Sequence, residues 1–80
     1  MDIGTLERKL VAAFPAARVE VADTTGGGDH FAALIVSEDF EGMPLVRRHR
    51  LVYESLGDLM RAEIHALSLR TLTPAELDAD

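Results

Sequence analysis

Pro44-Leu45-Val46-Arg47-Arg48-His49-Arg50-Leu51-Val52-Tyr53-Glu54-Ser55-Leu56-Gly57 is the stretch on which the fold turns. Proline suits the first position of a helix, and glycine suits the place where one stops. At about 100° per residue, Leu45, Val46, His49, Val52, Tyr53 and Leu56 fall on one arc while Arg47, Arg50 and Glu54 fall opposite. The spacing therefore predicts an amphipathic helix with His49 turned toward the core. Gly57 interrupts the pattern before Asp58-Leu59-Met60-Arg61-Ala62-Glu63, which predicts a second, consecutive helix. On either side stand segments of strand character. Phe31 to Val36 is a continuous apolar run, readable as a strand buried on both faces, and Ile64 to Leu72 has His65, Leu67 and Leu69 on one parity. A connection of more than a dozen residues is what a parallel crossover needs.

Toward the start of the chain, Arg18-Val19-Glu20-Val21-Ala22-Asp23 alternates charged and apolar residues, as a strand with one buried face does. The link from Thr24 to His30, with Gly26, Gly27 and Gly28, is too long for a two-residue hairpin and reads as a mobile loop. Ahead of it, Asp2 is placed to cap a helix whose apolar face is Ile3, Leu6, Leu10, Ala13 and Phe14, and Pro15 ends that helix. Beyond the first apolar run, Ser37 to Met43 forms a polar turn with Gly42. At the far end, Thr73-Pro74-Ala75-Glu76 has the form of a capping box and announces a short helix. The order is helix, strand, strand, helix, helix, strand, with that short helix last: an α+β fold on a three-stranded mixed sheet. If the last two strands are parallel neighbours, His30 and His65 emerge at the same sheet edge, where adjacent strands lie about 4.8 Å apart.

Eighty residues are expected to make one domain, spanning residues 1–80, with a thin core. There is no cysteine, so a disulfide scaffold, a thiol nucleophile and a cluster held by the chain's own thiolates are excluded. A metal here must use His, Asp or Glu, or borrow ligands from a partner. The net charge of -6 argues against a surface that attracts phosphate everywhere, though a local basic patch is compatible with it. No signal-peptide pattern and no apolar run near the roughly 20 residues of a membrane span is present, so the expected location is the cytoplasm.

The string from Val36 to Tyr53, with its Phe40-Glu41-Gly42 turn leading into Arg48-His49-Arg50, resembles the BolA family, as do Ile64-His65-Ala66-Leu67 and Thr71-Leu72-Thr73-Pro74-Ala75-Glu76. The resemblance runs from about Leu6 to Glu76. It implies a fold like the second class of KH domain. It also implies a partner: members of the family pair with monothiol glutaredoxins and share a 2Fe-2S cluster, to which the glutaredoxin contributes its cysteine and a bound glutathione contributes another thiolate. The histidine of the His-Ala-Leu strand, the family's principal ligand, corresponds to His65, and the second ligand, Cys or His from the glycine-rich loop, corresponds to His30. This chain departs from the pattern in having only the histidine version of the loop ligand, Leu77 where an aromatic residue is common, and no longer tail. Histidine ligation of one iron raises the cluster's potential and makes the site acid-sensitive, because protonated imidazole cannot bind metal. The role this implies is a non-enzymatic adaptor in cluster assembly, trafficking or iron sensing.

Arg47, Arg48 and Arg50 form the one dense basic cluster and are the expected contacts for glutathione, a partner carboxylate or nucleic-acid phosphate. Leu51, away from the apolar arc between Arg47 and Arg48, hints at a contact surface. The rival function is a KH-like transcriptional regulator that binds DNA. Against it stand the acidic balance, the lack of a Gly-x-x-Gly loop between helices and the lack of aromatics free for stacking. Gly26, Gly27 and Gly28 are followed by no phosphate-loop lysine, and Ser37, Ser55 and Ser68 lack the setting of a nucleophile, so no catalytic residue is assigned. Self-association as a homodimer is left open.

Overall fold

The computed structural model describes residues 1–64 and 66–79. Its elements are α1 (Ile3–Ala13), β1 (Arg18–Asp23), β2 (His30–Val36), a 3-10 turn (Glu38–Phe40), α2 (Leu45–Leu56), α3 (Leu59–Ala62), β3 (Ala66–Leu72) and α4 (Pro74–Ala79). The sheet order is β1-β2-β3. β2 pairs antiparallel with β1, from Arg18 opposite Val36 to Asp23 opposite Phe31. It pairs parallel with β3, from His30 level with Ala66 to Val36 level with Leu72. The α2 and α3 segments supply the crossover that the parallel pair requires. Gly57 separates them at φ +56°, a left-handed conformation that closes α2 and that residues with a Cβ rarely adopt.

One face of the sheet carries Phe31, Ala33 and Ile35 of β2, flanked by Val19 and Val21 on β1 and by Leu67, Leu69 and Thr71 on β3. Against it pack Leu6, Leu10 and Phe14 from α1, Val52 and Leu56 from α2, and Phe40 and Ile64 from the connections. The Phe14 and Phe40 rings meet at 5.8 Å between centroids and 57° between planes, a tilted pair that fixes the turn before α2 against the end of α1.

Four expectations are corrected. β2 is buried along one face; on the other, Ala32 and Leu34 are half-buried and open onto Glu20, Ala22, Ser68 and Arg70, and burial returns at Val36 where the strand ends. An apolar run of small and aliphatic residues fits this setting because its neighbours' side chains give partial cover without a second layer. In α2 the buried line is Arg48, Val52 and Leu56, while Leu45 and Val46 are 59 % and 69 % exposed and Tyr53 is also exposed. The predicted arc is thus rotated, and the reason is the set of internal partners that Arg48 finds. Asp2 occupies the cap position of α1 without a side-chain bond; its backbone carbonyl accepts from Thr5 N at 3.0 Å and Leu6 N at 3.3 Å. Pro44 precedes α2 as its cap instead of opening it, and its carbonyl accepts from Arg47 N and Arg48 N.

Candidate functional site

His30 opens β2 at the end of the sheet where β3 begins. Its carbonyl accepts from Thr24 N at 2.9 Å and from Thr24 Oγ1 at 3.1 Å, so the backbone at this position is held from across the loop. Its imidazole is 46 % exposed, with Nε2 3.9 Å from Asp29 Oδ2. That separation is too long for a hydrogen bond and leaves an electrostatic contact that a protonated ring would strengthen. Ala66 N donates to Asp29 O at 3.3 Å, which ties the start of β3 to the residue before His30. His65, the other expected ligand, lies outside the described residues, while Ala66, the next residue in sequence, stands level with His30.

The glycine loop beside His30 is organised around one carboxylate. Asp23 Oδ1 accepts from Gly26 N at 2.8 Å and Thr25 N at 3.3 Å, and Oδ2 accepts from Gly28 N at 2.9 Å. Gly28 sits at φ +75°, and a Cβ there would come 2.8 Å from the Met1 carbonyl oxygen, so only glycine satisfies both the turn and the close approach. The chemistry available at this end is that of an accessible nitrogen donor on a bonded loop. Among the described residues, no group of three His, Asp or Glu side chains is arranged to hold a metal ion.

The basic cluster divides. Arg48 is 7 % exposed and faces inward, so it cannot serve as the surface contact read from sequence. Its Nε donates to Met43 O at 2.7 Å, and its Nη1 donates to Thr71 O at 3.1 Å and Glu76 Oε1 at 2.6 Å, with Nη2 3.3 Å from Glu76 Oε2. The guanidinium also lies 5.8 Å from the Phe40 ring centroid. Glu76 in turn closes the expected capping box of α4, accepting from Thr73 N at 2.8 Å while Thr73 Oγ1 accepts from Glu76 N at 3.2 Å. The Arg48 hydrogen bonds, seconded by the bond from Thr73 N, hold the Glu76 carboxyl down at about 2, below its ordinary 4.5. One side chain thereby joins α2, the turn before it, β3 and α4. Arg47 and Arg50 remain exposed and line a surface hollow with Met43, Leu51 and Glu54. His49 is half-buried, and its Nε2 is buried without a hydrogen-bond partner among the described residues, consistent with packing as its role.

Sequence reasoning missed the Arg48 anchor. A signal was present, since Arg48, Val52 and Leu56 repeat at intervals of a helical turn and Glu76 was already fixed by the capping box.

A three-stranded mixed sheet, backed by helices on one face and carrying a half-exposed histidine where its parallel strands begin, defines a small α+β domain. The model of the BolA-like protein family matches residues 10–76, and the chain belongs to that family. It is 45 % identical over 73 residues to BolA-like protein 2 of Mus musculus, covering 89 % of this chain and 84 % of the relative. It is 36 % identical over 78 residues to the DNA-binding transcriptional regulator BolA of Escherichia coli, covering 89 % of this chain and 74 % of the relative. Among solved structures it resembles the BolA domain of SufE1 from Arabidopsis thaliana, with a TM-score of 0.84, 38 % identity, and coverage of 92 % of this chain and 93 % of that one.

Proposed function

We propose that this chain is a non-enzymatic adaptor that binds a monothiol glutaredoxin and shares a 2Fe-2S cluster with it through His65 and His30, acting in cluster assembly, trafficking or iron sensing. The observation that carries this reading is the position of His30: an accessible imidazole at the end of the parallel pair, level with the residue that follows His65 in sequence. The cluster is cargo held between two proteins. With no cysteine in the chain, every thiolate must come from the partner and its glutathione, and this chain contributes nitrogen donors alone. Neutral imidazole suits iron, and the Asp23-centred bonds of the adjoining loop lower the entropy lost when His30 is fixed on a metal.

DNA binding, the activity in the name of the Escherichia coli relative, has less support here. Burial of Arg48 leaves Arg47 and Arg50 as the exposed arginines of the cluster, in a chain of net charge -6. Two phosphate contacts supply little of the salt-sensitive affinity on which duplex binding rests. The test is co-expression with a monothiol glutaredoxin followed by absorption and circular dichroism spectroscopy. A coloured heterodimer with a spectrum unlike that of the glutaredoxin homodimer is the expected result. Recovery of the glutaredoxin homodimer alone, with this chain colourless and unbound, would overturn the reading.

A further inference from the structure

The metal-donor end of the sheet uses none of the surface around the first turns of α2. Arg48 reaches Thr71 O near the end of β3, and a strand from Ala66 to Thr71 spans roughly 16 Å, so α2 starts toward the opposite pole from His30. This surface is unusually apolar for the chain. Of the large hydrophobic side chains exposed among the described residues, Leu45, Val46, Leu51 and Tyr53 all belong to α2, and Ile3 and Val11 are the others. Single exposed apolar side chains are ordinary; of the four on α2, Leu51 lies beside Arg47 and Arg50, while Val46 and Tyr53 line a neighbouring hollow with His49 and Arg50.

The same helix concentrates positive charge. With Arg48 buried and paired to Glu76, its surface carries Arg47 and Arg50 against the single carboxylate Glu54, in a chain whose net charge is -6. Neither Arg47 nor Arg50 has an ion pair or a side-chain hydrogen bond among the described residues. The two stand one helical turn apart beside a hollow of about 230 Å³ whose apolar lining is Met43 and Leu51. On the other side of those two residues lies a second hollow that reaches Ala13 and Phe14 at the end of α1 and is bordered by Asp39 and Glu54, so the positive side of the groove is the one that Arg47 and Arg50 line.

We infer that this groove docks an acidic segment of a protein partner, anchored by an aliphatic side chain on Met43 and Leu51 and held by carboxylates on Arg47 and Arg50. Charge complementarity selects the occupant. The guanidinium fork matches a carboxylate in two parallel hydrogen bonds, and an acidic chain at large repels any acidic segment that lacks this local match. A nucleic acid fits less well, because the apolar floor of Met43 and Leu51 takes an aliphatic side chain and offers a phosphate nothing. Since the groove lies away from His30, its occupant does not compete with a partner that completes a metal's coordination. The chain can then bridge two proteins.

The test is chemical-shift mapping of the full 15N-labelled chain, without metal, at physiological salt. The probes are a short glutamate-rich peptide with leucines one helical turn apart, its lysine-for-glutamate counterpart, and a short DNA duplex. The glutamate peptide is expected to give saturable shifts at Met43, Arg47, Arg50 and Leu51 with His30 unmoved, and R50E or L51E is expected to weaken it by roughly tenfold. Both positions are exposed, so the variants fold. Absence of saturable shifts, shifts centred on His30, equal binding of the lysine peptide, or tighter binding of the duplex through the same residues would each overturn the inference.

Discussion

Replacement of Arg48 by methionine separates a structural anchor from a surface contact. Methionine keeps the apolar stem over Phe40 but removes the donors to Met43 O and Thr71 O and leaves Glu76 without its cation. A hydrogen bond to a charged group contributes about 1.5–3 kcal/mol, and a buried carbonyl left unpaired keeps its desolvation cost. Two such carbonyls, one of them buried with Thr71, set the expected loss at about 3 kcal/mol. An 80-residue domain has roughly 4–12 kcal/mol in total, so this is a large fraction of its stability. The midpoint of thermal unfolding should fall by about 15 °C. Urea unfolding of R48M followed by circular dichroism measures the loss directly, with R48K as a control that retains charge without the fork. A loss within about 0.5 kcal/mol, as expected for a solvated side chain, would refute the reasoning and return Arg48 to the surface.

Thr71 Oγ1 is buried without a partner among the described residues, so T71V should raise stability by about 1 kcal/mol in the same urea assay, where an equal loss would point to a bond made by that hydroxyl. The Glu76 carboxyl lies at about 2 in the folded chain against an ordinary 4.5, so its contribution is complete above pH 4.5 and disappears as pH falls toward 2. The stability gap between the parent chain and E76Q should therefore narrow between pH 4.5 and pH 2, and a gap unchanged over that range would contradict the pairing with Arg48.

Much of the fold is written locally. Alternation in Arg18–Asp23 reports a strand with one half-buried face, Gly57 reports a break that needs positive φ, and Thr73 to Glu76 carries a complete capping box within four positions. What local pattern does not carry is a partner distant in sequence. An arginine on a helix reads as solvated until Glu76 and the Thr71 carbonyl arrive from the other end of the chain, and their arrival rotates the buried face of α2. The open side of β2 was hidden for a related reason, since Ala32 and Leu34 have the same composition whether a second layer covers them or neighbouring side chains give partial shelter. At the site, the parallel pairing that brings His30 level with Ala66 followed from the length of the crossover. The carboxylate at the centre of the glycine loop did not, because Asp23 reads from sequence as the last charged residue of a strand.

The cluster-sharing proposal is tested most directly by pulsed electron paramagnetic resonance of the reduced cluster, in a complex of a monothiol glutaredoxin with this chain labelled with 15N at its histidines. Two strongly coupled histidine nitrogens are predicted for the parent chain and one for H30A. A spectrum without 15N coupling, or one that H30A leaves unaltered, would contradict the assignment of His65 and His30 as donors.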